Sequence, residues 1–290
     1  MQYGILIAIL SAVLWGIMNV YDKYVISCRV KSPRGYTAVV GITNLCIAVF
    51  FGIFLDWSQI TLLNLLFPAL TGFCLGIAAF FYILTLEKDD VSHMVGIFYV
   101  YPLIVAVLSY IFLKEKLIWI GYVGVILVIA GAILLSVRIK KVKLESSAWF
   151  ILGVIIFTSL DEFFIKLSTN NIPVWNGIIA SYVVTELTLL CGLFNSKIRK
   201  DFWKELHNFR LEIVSALLSF GGIVTLFLAM KELPATIVSS IGALQPLIVL
   251  IGERITGLFV GGLTKDNLIL PKTGAILLIV VGIVLLYITV

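Results

Sequence analysis

Charged residues are scarce in this sequence. They make up 13% of its 290 residues, whereas a soluble globular domain carries about 25%. Hydrophobic residues make up 61%, with a mean hydropathy of +1.13. This composition excludes a mainly water-soluble protein and predicts a chain that lies almost entirely in a membrane.

The sequence also lacks the short motifs of enzymes and ATP-driven pumps. It contains no GxxxxGK[ST] loop for ATP and no HExxH or GxSxG motif. Tyr21 and Asp22 resemble the YD of intramembrane aspartyl proteases, but the partner GxGD is absent. The four cysteines show no metal-binding spacing. We therefore expect no enzyme activity, no cofactor and no metal.

Ten apolar runs are long enough to cross a bilayer as helices, which takes about 20 residues each. The runs, numbered as spans 1 to 10, cover residues 3–25, 36–55, 63–86, 91–113, 118–137, 148–167, 174–194, 211–230, 235–263 and 273–290. The first run has no basic residues before it and exceeds 20 residues, so we interpret it as a span rather than a signal peptide. The predicted fold class is an all-α membrane protein with ten transmembrane helices.

Basic residues collect in the loops after spans 1, 5 and 7, which all lie on one side of a ten-span protein. By the positive-inside rule this basic-loop side is cytoplasmic, and both termini are then outside. Because the net charge of +5 resides in loops and not on a folded face, we expect no nucleic-acid partner.

The two halves of the chain resemble each other. YPLIV at residues 101–105 recurs as QPLIV at 245–249, and WGIMNVYDK at 15–23 aligns with TSLDEFFIK at 158–166. We therefore divide the chain into a first five-span repeat, residues 1–143, and a second, residues 144–290. Because five is odd, the second repeat enters the membrane from the opposite side. Such inverted repeats are typical of transporters whose site lies where the halves meet.

Several motifs in this order resemble the EamA type of the drug/metabolite transporter superfamily. They are LWG at residues 14–16, a lysine that ends span 1, a proline in spans 4 and 9, LKEKL at 113–117 and a glycine-rich span 5. The resemblance covers nearly the whole chain and implies a metabolite carrier whose central cavity is lined by spans 1, 3, 4, 6, 8 and 9. In some members of the superfamily both termini are cytoplasmic, so the orientation stays open.

One departure from the repeat concerns the end of span 9. Glu115 follows Pro102 by thirteen positions, whereas Glu253 follows Pro246 by only seven. We interpret Glu253 and Arg254 as lying inside span 9. The alternative is that span 9 ends early and a short insertion follows.

Charged residues inside spans are costly and need a reason. Glu162 and Lys166 are four residues apart on span 6, so they share a helix face and can pair with each other. The repeat matches Glu162 with Asn19, so we expect the two stripes to face each other across the central axis. Asp161 points about 100° away from Glu162 and is expected to meet a neighbouring helix.

Further candidates for substrate contact are Trp15, Tyr99, Tyr101 and Gln245. Tyr101 and Gln245 each precede the repeated proline, which removes a backbone donor and favours a kink toward a cavity. Trp15 lies one turn before Asn19, and its ring and that of Tyr99 suit stacking on a substrate. With Asn19, Asp161 and Glu162 they form the predicted substrate site. Plain helix packing is the alternative for the aromatic residues and Gln245, and a packed ion pair with Lys166 near the membrane interface is the alternative for Glu162.

Glu186 lies within span 7, with apolar turns on both sides. Burial favours the neutral form of such a carboxyl, so it could carry a proton through a transport cycle. We predict it as the coupling residue. The alternative is a protonated glutamate that serves only to bond a neighbouring helix.

The predicted function is secondary transport of a small metabolite, an amino acid or related compound, by alternating access and in the direction of export. The alternative is a flippase for a lipid-linked sugar or phospholipid, from the same superfamily. Expected partners are the substrate, the lipid bilayer, and either protons or an exchanged solute. A multi-pass protein of the plasma or inner membrane is expected, as a monomer or a homodimer.

Overall fold

The structure is a computed structural model that describes residues 2–86, 98–136, 148–259 and 270–289. Helices and the turns between them make up this part of the chain, and no strand occurs within it. The predicted boundary between the repeats, at residues 143 and 144, lies outside the described residues. The division into two domains at that point therefore stays a prediction.

The first half contains five helices that match the predicted spans 1 to 5: α1 (Gln2–Cys28), α2 (Pro33–Gly52), α3 (Leu66–Leu86), α4 (Tyr101–Leu108) and α5 (Trp119–Ser136). Ser32 caps α2 by accepting a hydrogen bond from the Gly35 N–H, with proline at the first helical position. A π-helical turn, Ser109–Leu113, extends α4 and ends at Lys114, which has a φ of 58°. The predicted start of span 4 lies outside the described residues.

The second half contains the helices α6 (Ala148–Asn171), α7 (Val174–Leu190), α8 (Ser196–Glu205), α9 (Phe209–Glu232), α10 (Ala235–Gly242), α11 (Gln245–Phe259) and α12 (Leu270–Ile288). Span 9, predicted as one helix, is in fact two: α10 and α11 are separated by Ala243 and Leu244, just before Pro246. A proline lacks the N–H that would continue the helix, which explains the break. As expected, α11 continues through Glu253 and Arg254.

The helices confirm an all-α membrane protein. Five stretches of the described residues are long and apolar enough to span a bilayer: Tyr3–Ile26, Pro33–Gly52, Val174–Phe194, Ser196–Glu232 and Ala235–Gly252. Shorter apolar helices account for spans 3, 4, 5 and 10, and the more polar α6 accounts for span 6. Large apolar side chains on many of these helices, such as Leu6, Phe112 and Leu277, are exposed on the surface that would contact lipid.

Most of the helix contacts between the first half and the second have an equivalent in which the roles of the two halves are reversed. In the first half α1 packs against α9 and α11, and correspondingly α6 packs against α3 and α4. Likewise α3 contacts α7 while α9 contacts α2, and the equivalent helices α2 and α7, and α5 and α12, pair with each other. This is the pattern of a two-fold axis, and an odd number of crossings per half places that axis in the membrane plane. Almost all of this packing joins one half to the other.

Glycine allows the closest of these contacts. A Cβ added at Gly72 of α3 would lie 2.1 Å from the Ser181 carbonyl oxygen of α7 and 2.8 Å from the Thr185 nitrogen. Both atoms belong to the backbone, so a larger residue cannot be accommodated without separating the helices. The contact holds α3 of the first half directly on α7 of the second.

The helix α8 lies between spans 7 and 8 and is amphipathic. Its Phe202 is buried in a cluster with Val25 and Tyr36, whereas Trp203 is 67% exposed. Glu205 accepts hydrogen bonds from the N–H groups of Lys31 and Ser32, both at 2.9 Å. The helix is therefore fixed to the loop between α1 and α2 on the basic-loop side.

Candidate functional site

A polar cluster lies where α6 of the second half meets α4 of the first. The Glu162 carboxyl, 6% exposed, lies beside the hydroxyls of Tyr101 and Ser239 and interacts with both. The Tyr101 hydroxyl donates to the Ser239 carbonyl at 3.4 Å, and the Ser239 hydroxyl donates to the Ala235 carbonyl at 2.8 Å. Tyr101 opens α4 beside Pro102, and the Ser159 hydroxyl donates to its carbonyl at 3.2 Å. The kink before the proline thus brings a tyrosine hydroxyl to a buried carboxyl.

The same contact occurs a second time, where α1 meets α11. Asn19 Nδ2 donates to Gln245 Oε1 at 3.4 Å, and the repeat matches these two residues with Glu162 and Tyr101. A Cβ at Gly16, one turn before Asn19, would lie 2.6 Å from Ile248, so the two helices approach closely. Each contact joins one half to the other.

These contacts correct one expectation. The stripes of α1 and α6 were expected to face each other, but Asn19 instead contacts α11, and Glu162 contacts α4 and α10. Tyr101 and Gln245 are each the first residue of a helix, after a turn and directly before the repeated proline. Both contacts therefore lie at a helix start.

Two acceptors in the cluster have no donor. Asp161 is 3% exposed, and neither its Oδ1 nor the Oε2 of Glu162 has a hydrogen-bond partner among the described residues. Asp161 lies near Cys74 of α3, with which it interacts electrostatically. Buried polar atoms are nearly always hydrogen-bonded, so these two unfilled carboxyl oxygens call for an explanation.

Lys166 does not pair with Glu162, and that prediction is wrong. Its Nζ donates to the carbonyls of Met230 and Leu233, at 2.7 and 2.8 Å, and lies 3.7 Å from Glu115 Oε1. The last carbonyls of α9 have no partners within their helix and carry the negative end of its dipole, so they attract the ammonium group.

Glu115, which was not predicted to have a functional role, completes this arrangement. Its Oε2 accepts from the Ala235 N–H at 2.9 Å and so caps α10. Lys166 and Glu115 together connect α6, α9, α10 and the end of α4 on the side opposite the basic loops. We call this set of contacts the Lys166 cluster. Its only sequence signal was the LKEKL motif that contains Glu115.

Trp15 and Tyr99 flank the polar residues. Trp15 is half-buried and packs against Gly222 of α9, where a Cβ would lie 2.8 Å from the indole nitrogen. Tyr99 is 4% exposed and lies in the turn before α4, with its ring centroid 5.2 Å from that of Phe98. Both positions agree with packing as well as with substrate contact, and their role stays a prediction.

Glu186 lies at another interface, between α2 and α7. It is 2% exposed, and its Oε1 accepts from Asn44 Nδ2 at 3.0 Å. Asn44 was not singled out in the sequence, although a shift of 142 residues aligns Thr43 and Asn44 with Thr185 and Glu186. The structure thus separates the predicted coupling residue from the predicted substrate contacts on α1, α4, α6 and α11.

A groove of about 320 Å³ lies between α2 and α9. Its walls are almost wholly apolar and include Ile47, Phe51, Phe209, Ile213 and Leu217. None of the predicted site residues lines it. The groove is open on one side, so it belongs to the lipid-facing surface and not to the predicted polar site.

Comparison with known proteins agrees with this architecture. Residues 2–137 match the EamA-like transporter family. A crystal structure of another protein superimposes with a TM-score of 0.72 and 15% sequence identity, over 98% of this chain and 97% of that chain. At this identity the likeness concerns the fold alone. No curated protein matches the sequence.

The family match covers the first of the two repeats, and the second repeat packs against it as its structural equivalent. Over its first half the chain is therefore similar to the EamA-like transporter family, as its motifs led us to expect.

Proposed function

We propose that this membrane transporter moves a small metabolite with an amino group, an amino acid or related compound, and exports it across the cell membrane. The observation that supports this substrate class is the pair of unfilled carboxyl oxygens on Asp161 and Glu162. An ammonium group offers three N–H donors and a positive charge. It would satisfy both acceptors and offset the cost of burying the charge.

Alternating access is the mechanism that the paired contacts favour. Asn19 with Gln245, and Tyr101 with Glu162, join the two halves in equivalent ways. A rocking motion of one half on the other would loosen one contact while keeping the other, which gives two conformations of similar energy. The turn between α10 and α11 directly precedes Gln245, so the contact with Asn19 lies where this span is interrupted.

Export follows from the resemblance to EamA-type carriers, and its driving force is proposed to be a proton gradient. Glu186 is the proposed coupling group because it is a fully buried carboxyl away from the substrate contacts. Exchange with a second solute is the other way to drive transport, and the experiment below separates the two.

A flippase for a phosphate-bearing lipid is the alternative. The acidic pair disfavours it, because a phosphate group placed beside Asp161 and Glu162 would meet like charge. The apolar groove between α2 and α9 opens toward lipid but contains none of the predicted polar contacts.

Transport by purified protein in liposomes tests the proposal. Vesicles loaded with one unlabelled amino acid are mixed with the labelled form, and counterflow is followed across amino acids, with nucleosides and sugar phosphates as comparison sets. We expect counterflow with compounds that carry an amino group and none with sugar phosphates. Counterflow of sugar phosphates alone would contradict the proposed substrate class.

Two variants test the site itself. Asp161→Asn and Glu162→Gln keep the size of each side chain but remove its charge, and we expect KM to rise by about tenfold or more for an amine substrate, equivalent to about 1.4 kcal/mol. Asp56→Asn makes the same change in the loop after α2 and should leave KM unaltered. Normal KM values in both site variants would return these carboxyls to a structural role.

Glu186→Gln tests the coupling. This variant should still catalyse exchange of labelled for unlabelled substrate but should no longer accumulate it against a concentration gradient when a pH difference is imposed. Accumulation equal to that of the unaltered protein would exclude Glu186 as the coupling group.

A further inference from the structure

Glu186 and Asn44 form a pair that is joined by one hydrogen bond and leaves two acceptor atoms unfilled. Asn44 Nδ2 donates to Glu186 Oε1, but Asn44 Oδ1 and Glu186 Oε2 have no partner among the described residues. Both atoms are acceptors when the carboxyl is ionised, so neither can satisfy the other. A proton on Oε2 turns it into a donor to Oδ1 and closes a cyclic acid–amide pair with two parallel hydrogen bonds.

The pair lies between equivalent helices of the two halves. Since a shift of 142 residues aligns Asn44 with Glu186, the amide of one half meets the carboxyl of the other on the two-fold axis. α3 also packs against α7 here, through Gly72 and Gly76, and its buried titratable residue is Cys74.

A second group of buried polar side chains connects this pair with the basic-loop side. Glu212, one turn into α9, accepts from the Tyr36 hydroxyl of α2 and interacts electrostatically with Glu186. Ser215 donates to Asp22 Oδ1 of α1 at 2.5 Å. Neither Glu212 nor Asp22 belongs to the proposed substrate site.

Two hydroxyl groups lie on the helix faces that carry the carboxyl groups of Glu186 and Glu212. Tyr182, one turn before Glu186 on α7, donates to the Ser219 hydroxyl of α9 at 3.1 Å. Glu212, Ser215 and Ser219 follow one another at spacings of three and four, so they share a face of α9. From Glu212 to Ser219 the helix α9 rises by seven residues, or about 10 Å, away from the basic-loop side.

We infer that Glu186 and Asn44 hold one exchangeable proton, and that Asp22, Glu212, Ser219 and Tyr182 pass it between Glu186 and the water on the basic-loop side. Each hydroxyl accepts a proton on its oxygen and releases its own to the next group. One proton therefore enters at Asp22 or Glu212 for each that arrives on Glu186, and no electrons move. This inference deepens the coupling role given to Glu186 under the proposed function.

Infrared spectroscopy of the purified protein in lipid bilayers tests the inference without any substrate. A neutral carboxylic acid has its own carbonyl band, and transfer to D2O shifts that band as the proton is replaced. We expect Glu186→Gln to lose one such band, and Asn44→Leu to shift its frequency because the acid then lacks its amide partner. Asn44→Leu keeps Glu186 and so remains informative if the first variant fails to fold.

The path is tested by the rate of deuteration. Glu212→Gln and Tyr182→Phe should slow the shift of the Glu186 band several-fold, whereas Tyr110→Phe, which removes a lipid-facing hydroxyl, should not. A spectrum in which Glu186→Gln removes no band, or unchanged rates in both path variants, would overturn the inference. If these results hold but accumulation in liposomes ignores the pH difference, the coupling role is wrong and the proton site remains.

Discussion

The Lys166 cluster allows a quantitative prediction for Lys166→Met, a change that keeps the length of the side chain. The variant loses two hydrogen bonds from a charged donor, to the carbonyls of Met230 and Leu233, and the contact with Glu115. Each such hydrogen bond contributes about 1.5 to 3 kcal/mol, and removal of one partner of a buried ion pair costs about 3 to 5 kcal/mol. The side chains of Lys166 and Glu115 are 12% and 14% exposed, and hydrogen bonds in membrane proteins contribute less on average than this range. We therefore expect the free energy of unfolding to fall by about 3 kcal/mol. At about 2 to 4 °C per kcal/mol, the Tm should fall by about 6 to 12 °C.

The cysteines of the protein provide the assay. Cys28, Cys46 and Cys191 are exposed, whereas Cys74 is buried. In a background where the three exposed cysteines are replaced by alanine, a thiol-reactive dye reports unfolding through Cys74 alone. Heating the protein in detergent with this dye gives the Tm of each variant.

Lys204→Met is the matched control. Its Nζ lies 2.9 Å from Asp201, closer than Lys166 lies to Glu115, but the lysine side chain is 73% exposed. Surface pairs contribute little to stability, so we expect no measurable shift. A second change, Glu115→Gln in the Lys166→Met background, should recover part of the loss, because no uncompensated carboxylate then remains buried. Equal Tm values for the Lys166→Met and Lys204→Met variants would refute the reasoning.

Three further variants follow from the packing. Gly72→Leu should give aggregated protein on size-exclusion chromatography because its side chain meets the α7 backbone, while Gly274→Leu, with nothing within 4 Å of an added Cβ, should remain monodisperse; equal profiles would contradict this. Glu205→Ala removes the acceptor of two backbone N–H groups and should cost about 3 kcal/mol, seen as a lower Tm and faster proteolysis beside α8; unaltered proteolysis would show that α8 is held by other contacts. Tyr101→Phe should lower the Tm by only a few degrees, because one hydrogen bond of about 1 kcal/mol is lost. Gln245→Leu is the matched change in the other half, and a larger fall in its Tm would contradict the expectation that the Gln245 contact is the weaker of the two.

The hydropathy pattern was sufficient to predict ten spans, because a helix in lipid satisfies its own backbone hydrogen bonds and needs only apolar length. The break between α10 and α11 was not predicted as such. Pro246 indicated a kink, but whether a proline bends a helix or divides it depends on what covers the freed backbone groups. Here the N–H groups of Ala243 and Leu244 donate to the carbonyls of Ser240 and Ile241, and the Leu244 carbonyl accepts from Leu247 and Ile248.

The partners of the polar side chains were harder to predict than their positions. Spacing along a helix identifies only neighbours on that helix, so Lys166 was matched with Glu162 and not with Glu115, 51 positions earlier. The internal repeat carried more information. It aligned Asn19 with Glu162 and Tyr101 with Gln245, and the structure joins these four residues in two equivalent contacts.

The interleaving of the two halves has a consequence for how the protein is made. The partners of α1 and α3 are α9, α6 and α7, which leave the ribosome much later. Until then the amide of Asn19 and the surface at Gly72 lack the second-half partners that cover them among the described residues. Assembly therefore waits for nearly the whole chain, and a first half produced on its own would find a comparable partner only in a second copy inserted upside down.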